Sequence, residues 1–309
     1  LETDIKSLKK AARQSIGPEL EKRVQIIIDT GLVELNKNFK IYWNNFPIGK
    51  LKTGKDYLNP NLELVVDDIL DKNHKEKLIN FLEKWLKKKI NIVLKSLVDL
   101  KNLKEKNSSI KALAYQLYEN NGVLKRKHVS EYLKNLGQNE RKILRDLGVK
   151  FGRYHIFLHR LIKPEAVSLR ILLWKNYHQK YFDIEPPIFG LNFLKNKNLK
   201  NKNLMLLCGF EKFENFFVRI DILERLFMQI INSNSEKDKE IKMLPEMLNL
   251  LGCSKENFKE LLKIMNYKVF EKNKEIFFKY SPKKDKKRTF KKTDRKESPF
   301  GVLKNLNLN

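Results

Sequence analysis

Two stretches of the chain repeat the same pattern of helix, glycine turn, second helix and β-strand. The first is VSEYLKNLG (129–137) followed by NERKILRDLGVKF (139–151), and the second is LPEMLNLLG (244–252) followed by KENFKELLKIMNYKVF (255–270). Apolar residues recur every three or four positions in the helical parts. The repeat predicts two helix–turn–helix units, each with a following β wing, as in a winged helix. Two unrelated helical hairpins that are joined and ended by similar turn residues would give the same pattern.

The segment before the first repeat has two further elements. Residues 32–52 alternate apolar and polar positions around Asn-rich turns, which predicts a three-stranded β-meander that Asn59-Pro60 closes. Residues 74–106 carry a continuous apolar stripe with lysines mostly outside it, which predicts one long amphipathic helix of roughly 45 Å. The predicted class is therefore α+β, mainly α with small β elements.

Changes in composition and the positions of turn-forming residues divide the chain into four predicted parts. Residues 1–30 form a helical lead-in, and 31–195 combine the meander, the long helix and the first repeat. A polar Lys/Asn linker over 195–202 separates them from a second winged-helix-like domain at 203–281. Residues 282–309 are predicted to be a disordered basic tail, because so dense a run of charge cannot bury a core of its own.

The stretch from Leu147 to Trp174 lies at the centre of this organisation. It begins with an extended run over 149–158 and turns at Lys163-Pro164. Pro164 suits the first position of a helix. Val167, Ile171 and Trp174 then recur at helical spacing, so one face of this helix is predicted to pack against a core.

The charge balance indicates an anionic partner. Lysine and arginine number 64 against 37 acidic residues, a net charge of +27. Such an excess is typical of nucleic-acid binding, although a general lysine bias on solvated faces would also raise the count. The candidate contacts are basic residues of the central block and of the tail: Lys150, Arg153, Arg160, Lys163, Lys283, Lys284, Lys286, Lys287, Arg288, Lys291 and Lys292.

The cysteine content, the apolar runs and the first residue indicate the compartment of the protein and whether it is complete. Only two cysteines occur, Cys208 and Cys253, which favours a reducing, cytoplasmic compartment over a disulfide scaffold. No apolar run reaches the roughly 18 residues of a membrane span, so no membrane partner is expected. The first residue is Leu1 rather than methionine, and the chain is therefore expected to be a piece of a longer protein.

Catalytic motifs are weak. The run GKLKTGK (49–55) has the spacing of a phosphate-binding loop, but Asp56 stands where a hydroxyl is required and Asn59-Pro60 leaves no room for the helix. His155 and His159 are four residues apart without the glutamate of a zinc protease. No nucleophile, metal ligand set or cofactor site can be assigned in this chain. The sequence indicates a binding region and leaves any enzymatic activity undecided.

Three blocks of the chain, in order, resemble a known family. They are FPIGKL (46–51) with the Trp-containing helix 82–100, LGVKFGRYHIFL (147–158) with LIKPEAVSLRILLW (161–174), and VRIDILERL (218–226) with PEMLNLLGCSKENFKELLKIMNY (245–267). They resemble the C-terminal extension of bacterial DExH/DEAD-box (superfamily 2) helicases related to the mitochondrial degradosome RNA helicase. The lysine-rich C-terminus is similar too.

That resemblance implies an ATP-dependent helicase acting on RNA more than on DNA. Its motor domains, with their ATP and Mg, would precede this chain in the same polypeptide, so no catalytic residue can be carried onto it. We expect this region to bind nucleic acid beside the motor. The alternative is a protein-interaction scaffold that docks a helicase to partners without touching nucleic acid.

Overall fold

The computed structural model describes residues 17–65, 70–104, 107–180, 182, 185–195, 202–233 and 240–281. These residues form α-helices and four small antiparallel sheets, so the predicted α+β class is confirmed. Residues 1–16 of the predicted helical lead-in and the predicted tail from 282 lie outside the described residues. No described helix combines the length and apolar character that a bilayer-spanning segment needs.

The N-terminal part is a meander packed on two helices. Helix α1 (17–30) and the strands share one core with the following helix, built around Ile41, Ile48 and Leu82. The strands are β1 Glu34–Leu35, β2 Lys40–Trp43, β3 Phe46–Asp56 and β4 Asn59–Leu64, hydrogen-bonded in that order. The prediction of three strands closed by Asn59-Pro60 was wrong. Pro60 is tolerated because β4 is an edge strand, where a missing N–H costs little.

The predicted long helix is two helices, α2 Lys72–Val93 and α3 Lys95–Lys101. Asp71 begins α2 by accepting a hydrogen bond from the His74 backbone N–H at 2.8 Å. The apolar stripe is buried as expected, but the chain leaves helical geometry at Leu94. Leu94 is fully buried, and the change of direction lets Leu97 and Leu100 pack into the main core with the next helix.

The described residues from 108 to 281 form three consecutive units that share one element order: a helix, a strand, a helical segment and a two-stranded hairpin. In each unit the first strand pairs with the third, which pairs with the second. Unit A contains α4 Ser108–Glu119, β5 Val123–Lys125, α5 Ser130–Lys134, α6 Gln138–Asp146, β6 Val149–Phe151 and β7 His155–Leu158. Unit B contains α7 Pro164–His178, β8 Phe193–Lys195, α8 Lys202–Leu207, β9 Phe210–Lys212 and β10 Phe216–Arg219. Unit C contains α9 Ile220–Asn232, β11 Ile241–Lys242, α10 Pro245–Leu251, α11 Lys255–Ile264, β12 Tyr267–Lys272 and β13 Glu275–Tyr280.

The same backbone turn leads into every hairpin. Gly148, Gly209 and Asn266 stand directly before the second strand of units A, B and C, with φ of 91°, 81° and 65°. Each N–H donates to the carbonyl three residues earlier, at 2.8, 2.9 and 3.1 Å. Glycine and asparagine tolerate this left-handed conformation, which ends the helix and starts the strand. Units A and C contain the two stretches predicted to be repeats, 129–151 and 244–270, and unit B is a third unit that the sequence did not predict.

The units are joined through α7, which is buried on two sides. Ala166, Leu169 and Leu173 pack into the core of unit A, and Val167, Ile171 and Trp174 into that of unit B, as predicted for the latter three. Arg170 lies between them, fully buried. Its guanidinium donates to the carbonyl oxygens of Asn121, Leu161 and Leu207 at 2.6, 2.6 and 2.7 Å. These carbonyls end or follow helices, where a cation complements the helix dipole.

Candidate nucleic-acid interface

The tip of the unit A hairpin is fixed by one carboxylate of unit C. Glu224, on α9, accepts hydrogen bonds from the backbone N–H groups of Arg153, Tyr154 and His155 at 2.5, 2.9 and 2.8 Å. Gly152 is required beside it, because an added Cβ would lie 2.4 Å from Cδ of Glu224. The Tyr154 ring packs on Phe227 of α9, with centroids 4.0 Å apart. The extended run over 149–158 is therefore a hairpin that docks on α9.

His155 continues this joint into unit B. Its Nε2 lies 3.1 Å from Glu211 and its Nδ1 3.3 Å from Glu224, and Lys125 also pairs with Glu211. Burial alone would lower the pKa of His155, but its hydrogen bonds to the two glutamates outweigh burial and raise that pKa. Burial would raise the pKa of both carboxyls, but their hydrogen bonds, first of all that from His155, lower it.

The His155 joint is shielded from solvent. The side chains of His155, Glu211 and Glu224 are only 3, 8 and 10% exposed, so a substrate has almost no access to them. Both ring nitrogens of His155 face carboxylates, and His159 lies on the exposed 3₁₀ turn beyond β7. The conspicuous Gly–Tyr–His pattern of the central block therefore holds three units together.

The four predicted contacts of the central block are all exposed but do not form one cluster. Arg153 is at the hairpin tip, whereas Arg160 and Lys163 follow the other end of β7, and Lys150 on β6 pairs with Phe157 near that other end. The four residues of β7 separate these ends by about 13 Å. Burial and Tyr280 raise the pKa of Tyr267, and the nearby Arg153 opposes that shift, so Arg153 approaches the hairpin of unit C. The predicted tail contacts, Lys283 to Lys292, lie outside the described residues.

Equivalent sheet faces of the three units have different surroundings. The second residue of each hairpin and its cross-strand partner are Lys150 and Phe157 in unit A, Glu211 and Val218 in unit B, and Lys268 and Lys279 in unit C. Phe157 packs against Leu206 and Ile220 of the following units. Val218 packs into the core of unit C. Lys268 and Lys279 are both exposed.

We call this side of the unit C sheet the open face. Because directly paired residues share a face, the cross-strand pairs assign its members. They are Lys242, Lys268, Phe270, Lys272, Glu275, Phe277 and Lys279. The opposite side carries Val269 and Phe278 and packs on the core. A groove of about 410 Å³ runs along part of the open face, lined by Lys268, Phe270 and Lys279 together with Tyr280 and Glu240.

Two lysines of the open face are neutralised and two are not. Lys242 pairs with Glu275 at 2.5 Å, and Lys272 pairs with Glu240 at 2.6 Å. Lys268 and Lys279 stand directly opposite each other, with no carboxylate among the described residues within ion-pair distance. Like charges in this position repel each other and destabilise the sheet. A bound anion would relieve that repulsion.

Phe270 and Phe277 add an aromatic pair to the open face. Their rings are nearly parallel, at 14°, with centroids 6.2 Å apart, and Lys272 Nζ lies 5.2 Å from the Phe270 centroid. The sequence predicted this hairpin but not its role as a site. The signal was present, because Lys268, Phe270 and Lys272, and then Phe277 and Lys279, occupy every second position of a strand and therefore share a side.

The run GKLKTGK (49–55) lies within β3, and Asp56 ends that strand. Asp56 pairs with Lys101 at 2.6 Å instead of facing a ligand, and β4 follows it rather than a helix. Backbone N–H groups in a strand ladder cannot converge on phosphate as those of a phosphate-binding loop do. Comparisons with protein families, curated proteins and solved structures find no match to this chain.

Proposed function

We propose that this chain is a nucleic-acid-binding region, with RNA as its ligand and the open face of unit C as its contact surface. The single observation that carries the proposal is the pair Lys268 and Lys279, exposed and opposed where units A and B have covered partners. The basic tail follows β13 in the sequence and adds further lysines and arginines that can neutralise phosphates.

Comparison of the three units distinguishes two kinds of exposed sheet face: an apolar face that a further unit would cover, and a polar face that remains in contact with solvent. In a stacked array, an inner unit has an apolar face that its neighbour covers, and a terminal unit has a polar one. The partner position is Phe157 in unit A and Val218 in unit B, and it is Lys279 in unit C. A fourth similar unit would have to bury that lysine. An anionic ligand would instead pair with it.

The wider role that we propose is the C-terminal part of an ATP-dependent RNA helicase, with ATP and Mg bound by motor domains outside this sequence. It rests on the residue blocks that resemble that family. The second candidate is a protein-interaction scaffold in the same cytoplasmic setting. One observation favours it: Ile188, Phe189 and Leu191 form an exposed apolar loop between α7 and β8.

The substitution Lys279→Glu tests the proposed ligand because it moves stability and binding in opposite directions. It replaces a repulsive cross-strand pair by an attractive one and should stabilise the fold by about 0.5 kcal/mol. It should also weaken RNA binding by about tenfold near 0.1 M salt and reduce the salt slope of log affinity by about 1. Thermal unfolding and fluorescence anisotropy over a salt series measure both quantities.

Lys84→Glu is the matched control. Lys84 is an exposed lysine of α2, so the change in net charge is identical while the open face is untouched. We expect its RNA affinity to stay within about twofold of the wild type, because Lys84 does not line the groove of the open face and exposed charges are screened beyond about 10 Å. Equal losses in the two variants would show that only total charge matters and would remove the open face from the proposal.

A further inference from the structure

We infer that the open face binds an unpaired strand, with Phe270 and Phe277 as a platform on which bases stack. The inference rests on the proposed function and adds the class of nucleic acid. The two rings contact each other and Lys272, but neither packs into a described core cluster. Two large apolar rings therefore lie on an otherwise charged surface.

Comparison with units A and B shows how unusual that is. Their apolar outer-face residues, Val123 and Phe157 in unit A and Val218 in unit B, are each buried by the following elements. Phe270 and Phe277 have no such cover among the described residues and remain partly exposed. Exposed aromatic side chains beside basic ones are the arrangement that single-strand binding surfaces use.

The chemistry of the open face discriminates between strands and duplexes. A duplex offers phosphates to Lys268 and Lys279, but its bases are stacked and paired within the helix. An unpaired strand offers both phosphates and free base faces, and stacking on a phenyl ring needs no particular base. Only the unpaired strand uses the lysines and the rings together, and the groove beside Phe270, with Tyr280 on its wall, gives the strand a path.

The test removes the bases from the ligand, or the rings from the protein, while the number of phosphates in the strand stays constant. Three ligands are used: an adenosine RNA strand of about 12 nucleotides, its duplex, and an abasic strand of equal length. The proteins are the wild type, Phe270→Leu/Phe277→Leu, and Phe270→Tyr/Phe277→Tyr, which keeps the ring faces. We expect the wild type to bind the adenosine strand about 10-fold or more tightly than the abasic one.

In the leucine variant that preference should disappear, while abasic and duplex affinities and the salt slope stay unchanged. The tyrosine variant should keep the preference. If the wild type binds the abasic and adenosine strands equally, or the leucine variant retains the preference, stacking is wrong although nucleic-acid binding stands. If no ligand binds even at low salt, the proposed function itself fails. Should the leucine variant unfold, the wild-type comparison of abasic and adenosine strands decides alone.

Discussion

Replacement of Arg170 by leucine is expected to destabilise the fold by at least about 3 kcal/mol. The guanidinium serves three backbone carbonyls, of Asn121, Leu161 and Leu207, that lie in two units and the turn between them. Leucine leaves all three without a donor in the interior, and each unpaired buried group costs about 1–3 kcal/mol. Since a whole domain is stable by only about 5–15 kcal/mol, the loss is a large fraction.

Denaturant unfolding of Arg170→Leu measures this loss, with Arg160→Leu as the matched control. Arg160 is exposed on the 3₁₀ turn before α7, so its replacement should change stability by no more than about 0.5 kcal/mol. Burial lowers the pKa of Arg170 to about 10, which leaves the group charged at neutral pH. Equal stability of the two variants would show that Arg170 does not join units A and B.

The second large effect is expected for Glu224→Gln, which should destabilise the protein by roughly 3–5 kcal/mol. The amide cannot accept all three N–H bonds from the hairpin tip, and His155 loses one of its two carboxylate partners. Asp221→Asn on the same helix is the control, because its carboxylate is not part of the joint. Denaturant unfolding near neutral pH compares the two variants.

The pH dependence of the same joint has a defined sign. The pKa of Glu224 is lowered by folding, so its contribution is present above its ordinary pKa near 4.5 and is lost as pH falls through the folded value. The pKa of His155 is raised, so its contribution is complete below about 6.5 and is lost as pH rises through the folded value. The advantage of the wild type over Glu224→Gln should therefore peak between these limits. A constant difference from pH 4 to 9 would contradict the ion pairing.

Sequence periodicity predicted units A and C because their helices are short, amphipathic and ended by glycine or a polar turn. Sequence periodicity did not predict unit B, for two physical reasons. The helix that begins at Pro164 was predicted with one buried face, but α7 is buried on two sides, so its pattern does not show that it also begins a further unit. The strand Phe216–Arg219 is a short apolar run, and such a run has no period that distinguishes a strand from a helix.

The site was harder to predict than the fold. Gly152, Tyr154 and His155 belong to a block that resembles the helicase extension, yet they hold the hairpin tip against Glu224 and Phe227. Their partners are about 70 residues away in the chain, and no local pattern shows such contacts. The alternation of Lys268, Phe270 and Lys272 was visible in the sequence. That no other described element covers this side of the sheet became evident only from the packing of the three units.

Protection of individual lysines from acetylation, with and without a bound RNA strand, tests the central claim most directly. Mass spectrometry of the labelled protein reports each lysine separately. We predict that Lys268 and Lys279 become protected when RNA binds, while Lys84 and Lys88 on α2 react at unchanged rates, although all four are exposed. Unchanged reactivity of Lys268 and Lys279 in the RNA complex would contradict the account.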